Sequence, residues 1–474
     1  MPQPSGWGLV AMLTTSHSSL LHQAGFGPAA VEALSARQGE PAWLRERRRE
    51  AWALYEQTPM PSRTDESWRR TDLSLLRLDR LHPFAAGPGR AGSVEELPAA
   101  VQQALPPLSA VGGLAVQCHS EGVFSALSAE AEAAGVRFGS LDEAVARWPE
   151  LVEPHLLQIA GPGRGKFAAL HGALWSGGVF LYVPPEVHVA LPFHSVCWSD
   201  ADALGLFPHT LIVCDRLSSV TFLDEYLSAA PEQSLVSGAV EAHVAEGAQL
   251  NYVQLQGWAG SAYNLSCQVA RVERDGVFNG VGVFLGGRLS RNEIEVELRG
   301  TGATSRLQSV VFGDGHQHFD QQTLQDHVGR NTASDLLMKA ALKDESRSVF
   351  MGLIRILGEA RGSNAFQTAR TLLLSAKAKA DAIPSLEILA NDVKCKHAAA
   401  VGQVDESQLF YLMSRGLTRE QAQRMIVLGF FEPVIAGVPL ESVRERLWAR
   451  IEAKLDGPHP DPLPRGGEGI GTRT

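Results

Sequence analysis

The chain has 474 residues, 45% of them hydrophobic and 20% charged, a globular composition with apolar material for at least one large core and two or three structural units. Its formal net charge of -10 argues against a nucleic-acid or anionic-membrane surface, which needs a clustered basic face. The longest early apolar run, Trp7 to Leu13, is too short to span a bilayer and has no basic region before it, so the expectation is a cytoplasmic protein with neither anchor nor signal peptide.

Taken in chain order, the first ~25 residues carry no clear periodicity. Helical spacing begins at Val31 to Leu34 and continues through Trp43, Leu44, Ala51, Trp52 and Tyr55, with the Arg45 to Arg49 cluster read as a solvated face. Pro59 and Pro61 end that helix, and Pro98, Pro106-Pro107 and Gly112-Gly113 punctuate a mixed segment reaching about residue 160. Residues 1–160 are therefore read as a mostly helical N-terminal region. From Phe167 short apolar runs such as Val179 to Val183, Thr210 to Val213 and Val277 to Leu285 alternate with Gly, Asp, Asn and Pro, which are strand signals. Little helix interrupts them before Val311, so residues 161–402 are read as a mainly β core: a sandwich, a barrel or a solenoid rather than a doubly wound α/β sheet. No strict repeat chooses among the three.

After Gly402 helical spacing returns in Leu409, Phe410, Leu412 and Met413, in Ala422, Met425, Ile426 and Leu428, and in Val443, Leu447 and Ile451. Arg415-Gly416-Leu417-Thr418 is a helix stop followed by a new N-cap, with Gln421 placed to complete a capping box. Residues 403–456 form a helical C-terminal domain, and the Pro- and Gly-rich tail, 457–474, is expected to be disordered.

Five cysteines, Cys118, Cys197, Cys214, Cys267 and Cys395, are odd in number and widely spaced, which predicts neither a disulfide framework nor a structural zinc site. The first four read as small buried hydrophobes. The loop Gly161-Pro162-Gly163-Arg164-Gly165-Lys166-Phe167 resembles a phosphate-binding loop only superficially, since Ala160 stands at the required first glycine and Phe167 at the Mg-binding Ser/Thr. The chain thus has no ATP site of its own, and hydrolase and zinc-protease motifs are likewise missing.

In Val393-Lys394-Cys395-Lys396-His397 a strand places Val393, Cys395 and His397 on one face and both lysines on the other. Thiol and imidazole are both ligands for iron or an iron-sulfur cluster, and the lysines should favour the thiolate. Two ligands do not close a metal site. Either a partner chain completes it or the pair is simply packed in a strand. A second cluster, His316, His318 and Asp320 followed by Asp326 and His327, has metal-site composition without specific spacing, and reads more readily as a polar turn or as buried histidines hydrogen-bonded to aspartates.

Several blocks together resemble the SufB/SufD family: Phe167 to Gly178, Val183-Pro184, His318-x-Asp320, Ser348 to Gly352 and Pro384 to Ile388. The most specific runs from Leu386-Glu387-Ile388 through Asn391 to His397 and Gly402 to Asp405 into Leu409 to Gly416. Cys395-x-His397 resembles the SufD pattern; SufB-like chains carry a His-Glu pair here and an upstream cysteine, whereas Ala398 follows His397 and Thr368 to Ser375 contains no cysteine. The resemblance implies a mainly β fold, a right-handed parallel β-helix flanked by N- and C-terminal helical domains, acting as a non-enzymatic scaffold. It implies pairing with SufB and docking of the ATPase SufC on the C-terminal helices, through residues such as Phe410, Tyr411, Arg415, Gly416 and Phe430. A transient iron-sulfur cluster shared with SufB would be held by His397 and Cys395. The resemblance also allows a flavin in the complex and a homodimer when SufB is absent. A β-helix enzyme acting on polysaccharide is the alternative from another class.

Overall fold

The computed structural model describes residues 23–457, so the readings made for Trp7 to Leu13 and for the tail beyond Gly457 lie outside the described residues. Two sheets dominate. A ten-stranded and an eleven-stranded sheet wrap around one lumen, and consecutive strands alternate between them, giving a parallel β-solenoid of about eight turns. The open choice among sandwich, barrel and solenoid is settled for the solenoid. Strands expected at 179–183, 210–213 and 277–285 are found at Val179–Val183, His209–Cys214 and Val277–Phe284.

One corner explains why no strict repeat shows in the sequence. Leu217, Gly247, Asp275, Gly302, Asn331 and Gly362 all have positive φ and stand 30, 28, 27, 29 and 31 residues apart. Each donates its backbone N–H to the carbonyl next to the equivalent corner of the following turn, as Asp275 does to Thr301 (3.0 Å), Gly302 to Arg330 (2.9 Å) and Asn331 to Arg361 (2.9 Å). The left-handed conformation is cheap for Gly and tolerable for Asn and Asp. Because any of these residues serves, and spacing drifts, the period is structural rather than lexical.

Apolar side chains fill the lumen, among them Phe222, Tyr252, Phe278, Phe284, Phe319 and Phe350. The N-terminal helices Pro28–Gln38, Ala42–Gln57 and Lys166–Leu174 cover the outer face of the eleven-stranded sheet, with Leu44, Leu170 and Trp175 meeting Phe180, Leu211 and Leu265. Three strands lie in the stretch read as mostly helical. Gly113–Cys118 and Glu121–Leu127 form an antiparallel pair at the start of the ten-stranded sheet, and Arg137–Ser140 runs antiparallel to Val179–Val183 in the other. These strands are four to seven residues long and carry glycines within them, which leaves little alternation to read.

The arginine cluster is not wholly solvated. Arg48 is fully buried, its guanidinium donating to both Glu40 carboxylate oxygens (2.5–2.9 Å) and to the Ala173 carbonyl (3.2 Å) while lying over the Trp175 ring. It ties the long N-terminal helix to Lys166–Leu174. A second buried chain ties the same layer to the solenoid. The Ser237 carbonyl can only accept, so His171 Nδ1 donates to it (2.6 Å) and His171 Nε2 accepts from His209 Nδ1 (2.9 Å). His209 Nε2 then meets the Glu241 carboxylate at 3.1 Å. Glu241 also accepts the backbone N–H groups of Leu157, Ile159 and Ala160. Burial pushes the Glu241 carboxyl up, but the His209 and backbone donors outweigh it and hold it at about 2, while burial drives His171 down to about 3.

Helices Arg419–Ile435 and Glu441–Asp456 pack on the outer face of the ten-stranded sheet, Phe431, Val434, Leu447 and Ile451 meeting Val253, Val283, Val310 and Phe312. The expected capping box forms, with Thr418 accepting from the Gln421 backbone and Gln421 accepting in return. No helix among the described residues is long and apolar enough to cross a membrane.

Removing one partner of a buried ion pair leaves an uncompensated charge, so Arg48→Ala should lower unfolding free energy by about 3–5 kcal/mol in denaturant titration; a loss under about 1 kcal/mol would show that Glu40 finds water. Glu241 is depressed on folding, so its stabilisation is complete above its ordinary pKa of 4.5 and fades as pH falls toward 2. Wild type should exceed Glu241→Gln by on the order of 3 kcal/mol at neutral pH, the gap closing between pH 4.5 and 2. A gap independent of pH would contradict the assignment.

Candidate functional site at the open end of the solenoid

Both sheets end on strands with one neighbour each. Among the described residues, Lys379–Ile388 pairs only with Arg347–Ile356, and Lys394–Gln403 only with Asn364–Leu373. Pro384 sits within the former, a residue tolerated in a sheet at an edge because it donates no ladder hydrogen bond. Both end strands are half-buried to exposed throughout, unlike the strands beneath them.

Register places Cys395 on Ala365, His397 on Gln367, Ala399 on Ala369 and Val401 on Thr371. Ala369 belongs to the lumen core, so alternation carries Cys395, His397, Ala399 and Val401 on the lumen face, with Lys394 and Lys396 on the outside. The turn before this strand is fixed by the Asp392 carbonyl accepting from Gly362 (2.7 Å) and by Lys394 N–H donating to the Ser363 carbonyl (2.9 Å). Cys395 and Val393 pack against Ile354, Ile356, Ala365 and Ala390. His397 is exposed.

The expected thiolate is not favoured. Burial raises the Cys395 thiol above its ordinary value, and no cationic group offsets it, because both lysines project from the opposite face. The other cysteines also lie in strands: Cys118, Cys197 and Cys214 are buried and Cys267 partly so. Burial pushes Cys118, Cys214 and Cys267 up to about 12.

The histidine–aspartate cluster does not assemble. His327 points into the lumen between the hydroxyls of Thr332 and Ser334, both at 2.8 Å. Asp320 faces outward, bound by Arg291 and Thr71, and Asp326 is held by Arg355. His316 stands on an exposed turn near Glu345. Among the described residues no group of three or more His, Cys, Asp or Glu side chains is placed to hold a metal ion.

Two surfaces emerge that the motifs address only by residue name. Around the last turn, Phe366, Leu386, Ile388, Leu389 and Val401 are exposed apolar side chains. On the helix Glu406–Ser414, Phe410 is 75% and Tyr411 57% exposed, beside exposed Met413 and with Arg415 over the Tyr411 ring. Gly416 comes next in a left-handed turn with φ 94°. Phe430 lies apart from this patch, half-buried, with the Lys339 ammonium donating to its carbonyl (2.6 Å) and approaching its ring.

Residues 197–430 match the family model for the SUF system FeS cluster assembly SufBD core domain, and residues 116–194 match that for the SufBD protein N-terminal region. The chain is similar to the iron-sulfur cluster assembly protein SufB of Bacillus subtilis, 30% identical over 420 residues that cover 87% of this chain and 89% of that protein. It is similar to the same extent to iron-sulfur cluster assembly SufBD family proteins of Staphylococcus haemolyticus and Staphylococcus aureus.

Since the lysines lie across the strand from the thiol, Lys394→Ala and Lys396→Ala should leave Cys395 alkylation by iodoacetamide at pH 8 within about twofold of wild type, and slower than for an unperturbed cysteine. A fall of tenfold or more in either variant would restore the lysines as thiolate-stabilising groups.

Proposed function

The chain belongs to the SufBD family of iron-sulfur cluster assembly proteins, and on that premise we propose that it is the SufD-like scaffold subunit of a three-component assembly machine, without catalytic activity of its own. The observation that carries this reading is the uncapped last turn, where a thiol and an imidazole share the lumen face within a ring of exposed apolar residues. Unpaired strand edges recruit further strands. A SufB-like partner of the same fold would continue the ladder and cover Leu386, Ile388 and Val401. It would also supply the ligands that Cys395 and His397 lack. The iron-sulfur cluster is the cargo: His397 offers a ring nitrogen at the exposed end of the lumen, and Cys395 a sulfur that becomes a ligand once deprotonated by metal.

The second surface fits a different partner. Phe410 and Tyr411, exposed on a helix whose neighbours anchor firmly to the sheet, supply the aromatic anchors typical of a protein interface. We assign this face to a SufC-like ATPase, with Arg415 and Gly416 at its edge. Phe430, half-buried against Lys339 and apart from this patch, lies outside the assigned face. The Cys395-x-His397 pattern favours a SufD-like over a SufB-like role, and the polysaccharide-acting alternative has no support from the family membership.

Co-expression with SufB-like and SufC-like chains tests the two surfaces separately. Leu386→Asp with Val401→Asp should abolish recovery of the SufB-like partner, and Phe410→Ala with Tyr411→Ala should deplete the ATPase. Wild type that purifies alone would defeat the reading. His397→Ala should leave the complex intact but reduce cluster formation by roughly tenfold or more in a spectroscopic reconstitution assay; normal loading would remove His397 from the site.

A further inference from the structure

We propose that Gln367 is a positioning residue for His397, its side-chain carbonyl accepting a ring N–H and so fixing which imidazole nitrogen faces the open end. The amide lies one strand below the imidazole on the same face, since Gln367 and His397 are register partners in the last two strands of the ten-stranded sheet. Such partners stack about 4.8 Å apart. Gln367 is 1% exposed.

Its orientation is not free. Gln367 reaches across the lumen and donates through Nε2 to the Gly352 carbonyl at 3.2 Å. A backbone carbonyl accepts only, so the nitrogen must be on that side and the atom left over is the acceptor Oε1. That oxygen is buried and, among the described residues, has no hydrogen-bond partner, His397 included, a costly condition for a native polar group. The space it occupies exists because residue 352 is glycine: a Cβ there would stand 2.5 Å from Oε1 and 2.6 Å from Nε2. Gly352 is itself the register partner of Pro384, so the amide forms the floor of the open last turn, directly beneath the site.

A neutral imidazole has one donor and one acceptor nitrogen. If the donor is engaged by Oε1, the acceptor is turned away from the floor, ready for a metal, which is the arrangement in which metal-ligating histidines are usually held. The inference rests on the proposed ligand role of His397 for its purpose, though not for its test.

The test is long-range ¹H–¹⁵N NMR of the full chain labelled at histidine, at about pH 9, where ordinary imidazoles are neutral, with the His397 ring assigned by loss of its signals in His397→Ala. Wild type should show one tautomer. Gln367→Met, close in size but unable to accept, should show both, and Gly352→Ala, which expels the amide, should behave like Gln367→Met, each variant's fold being checked by circular dichroism. Both tautomers in wild type, or one unchanged tautomer in a folded Gln367→Met, overturns the proposal; if neither variant folds, the wild-type spectrum decides. In the reconstituted complex Gln367→Met should retain about 10–100-fold less cluster. If His397→Ala loads normally while the wild-type ring is locked, the ligand role falls and the positioning contact stands.

Discussion

A parallel β ladder must end somewhere, and the way each end is closed governs the rest of this molecule. Backbone N–H and C=O groups on an outermost strand have no partner within the sheet. At the start of the solenoid two antiparallel pairings turn the chain back on itself, Glu121–Leu127 against Gly113–Cys118 and Arg137–Ser140 against Val179–Val183. At the other end nothing comparable covers Lys379–Ile388 and Lys394–Gln403 among the described residues. The lumen's apolar column therefore runs out into solvent at Leu386, Ile388 and Val401, in the same turn that carries Cys395 and His397.

The layers outside the sheets are fixed by buried charge as well as by apolar contact. Arg48 ties the long N-terminal helix to Lys166–Leu174, His171 ties that layer to His209 and Glu241 of one sheet, and Lys454 ties the C-terminal pair to the other by donating to the Leu285 carbonyl and the Gln317 side-chain oxygen (both 2.7 Å) beside Asp314 at 2.9 Å. Breaking such pairs is expensive because the abandoned partner stays desolvated. Helix Glu406–Ser414 and the last solenoid turn each leave several large apolar side chains exposed among the described residues, and they lie on separate elements. On the proposed reading, a scaffold that takes two partners would need that separation.

What can be read in the sequence is local. The helical spacing after Gly402, the Thr418–Gln421 capping box and the strand runs at 179–183 and 210–213 all rest on neighbours in the chain. Alternation alone puts Cys395 and His397 on one face. Errors arise where a side chain's partner is distant in sequence. Arg48 reads with its charged neighbours because Trp175 and Ala173, more than a hundred residues away, make its pocket. His318 and His327 share a strand but differ in parity, so one faces out and the other into the lumen. The solenoid repeat stays hidden because its corner asks for a left-handed backbone rather than for one residue type.

Parity also limits what the end strand can do by itself. On the lumen face of a strand only alternate residues are available, and in Lys394–Gln403 those are Cys395, His397, Ala399, Val401 and Gln403. The neighbouring strand beneath offers Ala365, Gln367 and Ala369 on that face, and the facing edge strand offers Ala382, Pro384, Leu386 and Ile388. Alanines and aliphatic groups supply shape and dryness but no further ligands of the kind iron takes. A tetrahedral iron needs donors from a second direction, and the direction left open is the exposed end of the ladder. A second solenoid joined there would bring its own lumen face against this one, so pairing the edges and completing the ligand set would be one event. On the proposed reading, separating the edges would expose Cys395 and His397 and loosen a bound cluster, so release would follow the geometry of the interface rather than any group within this chain.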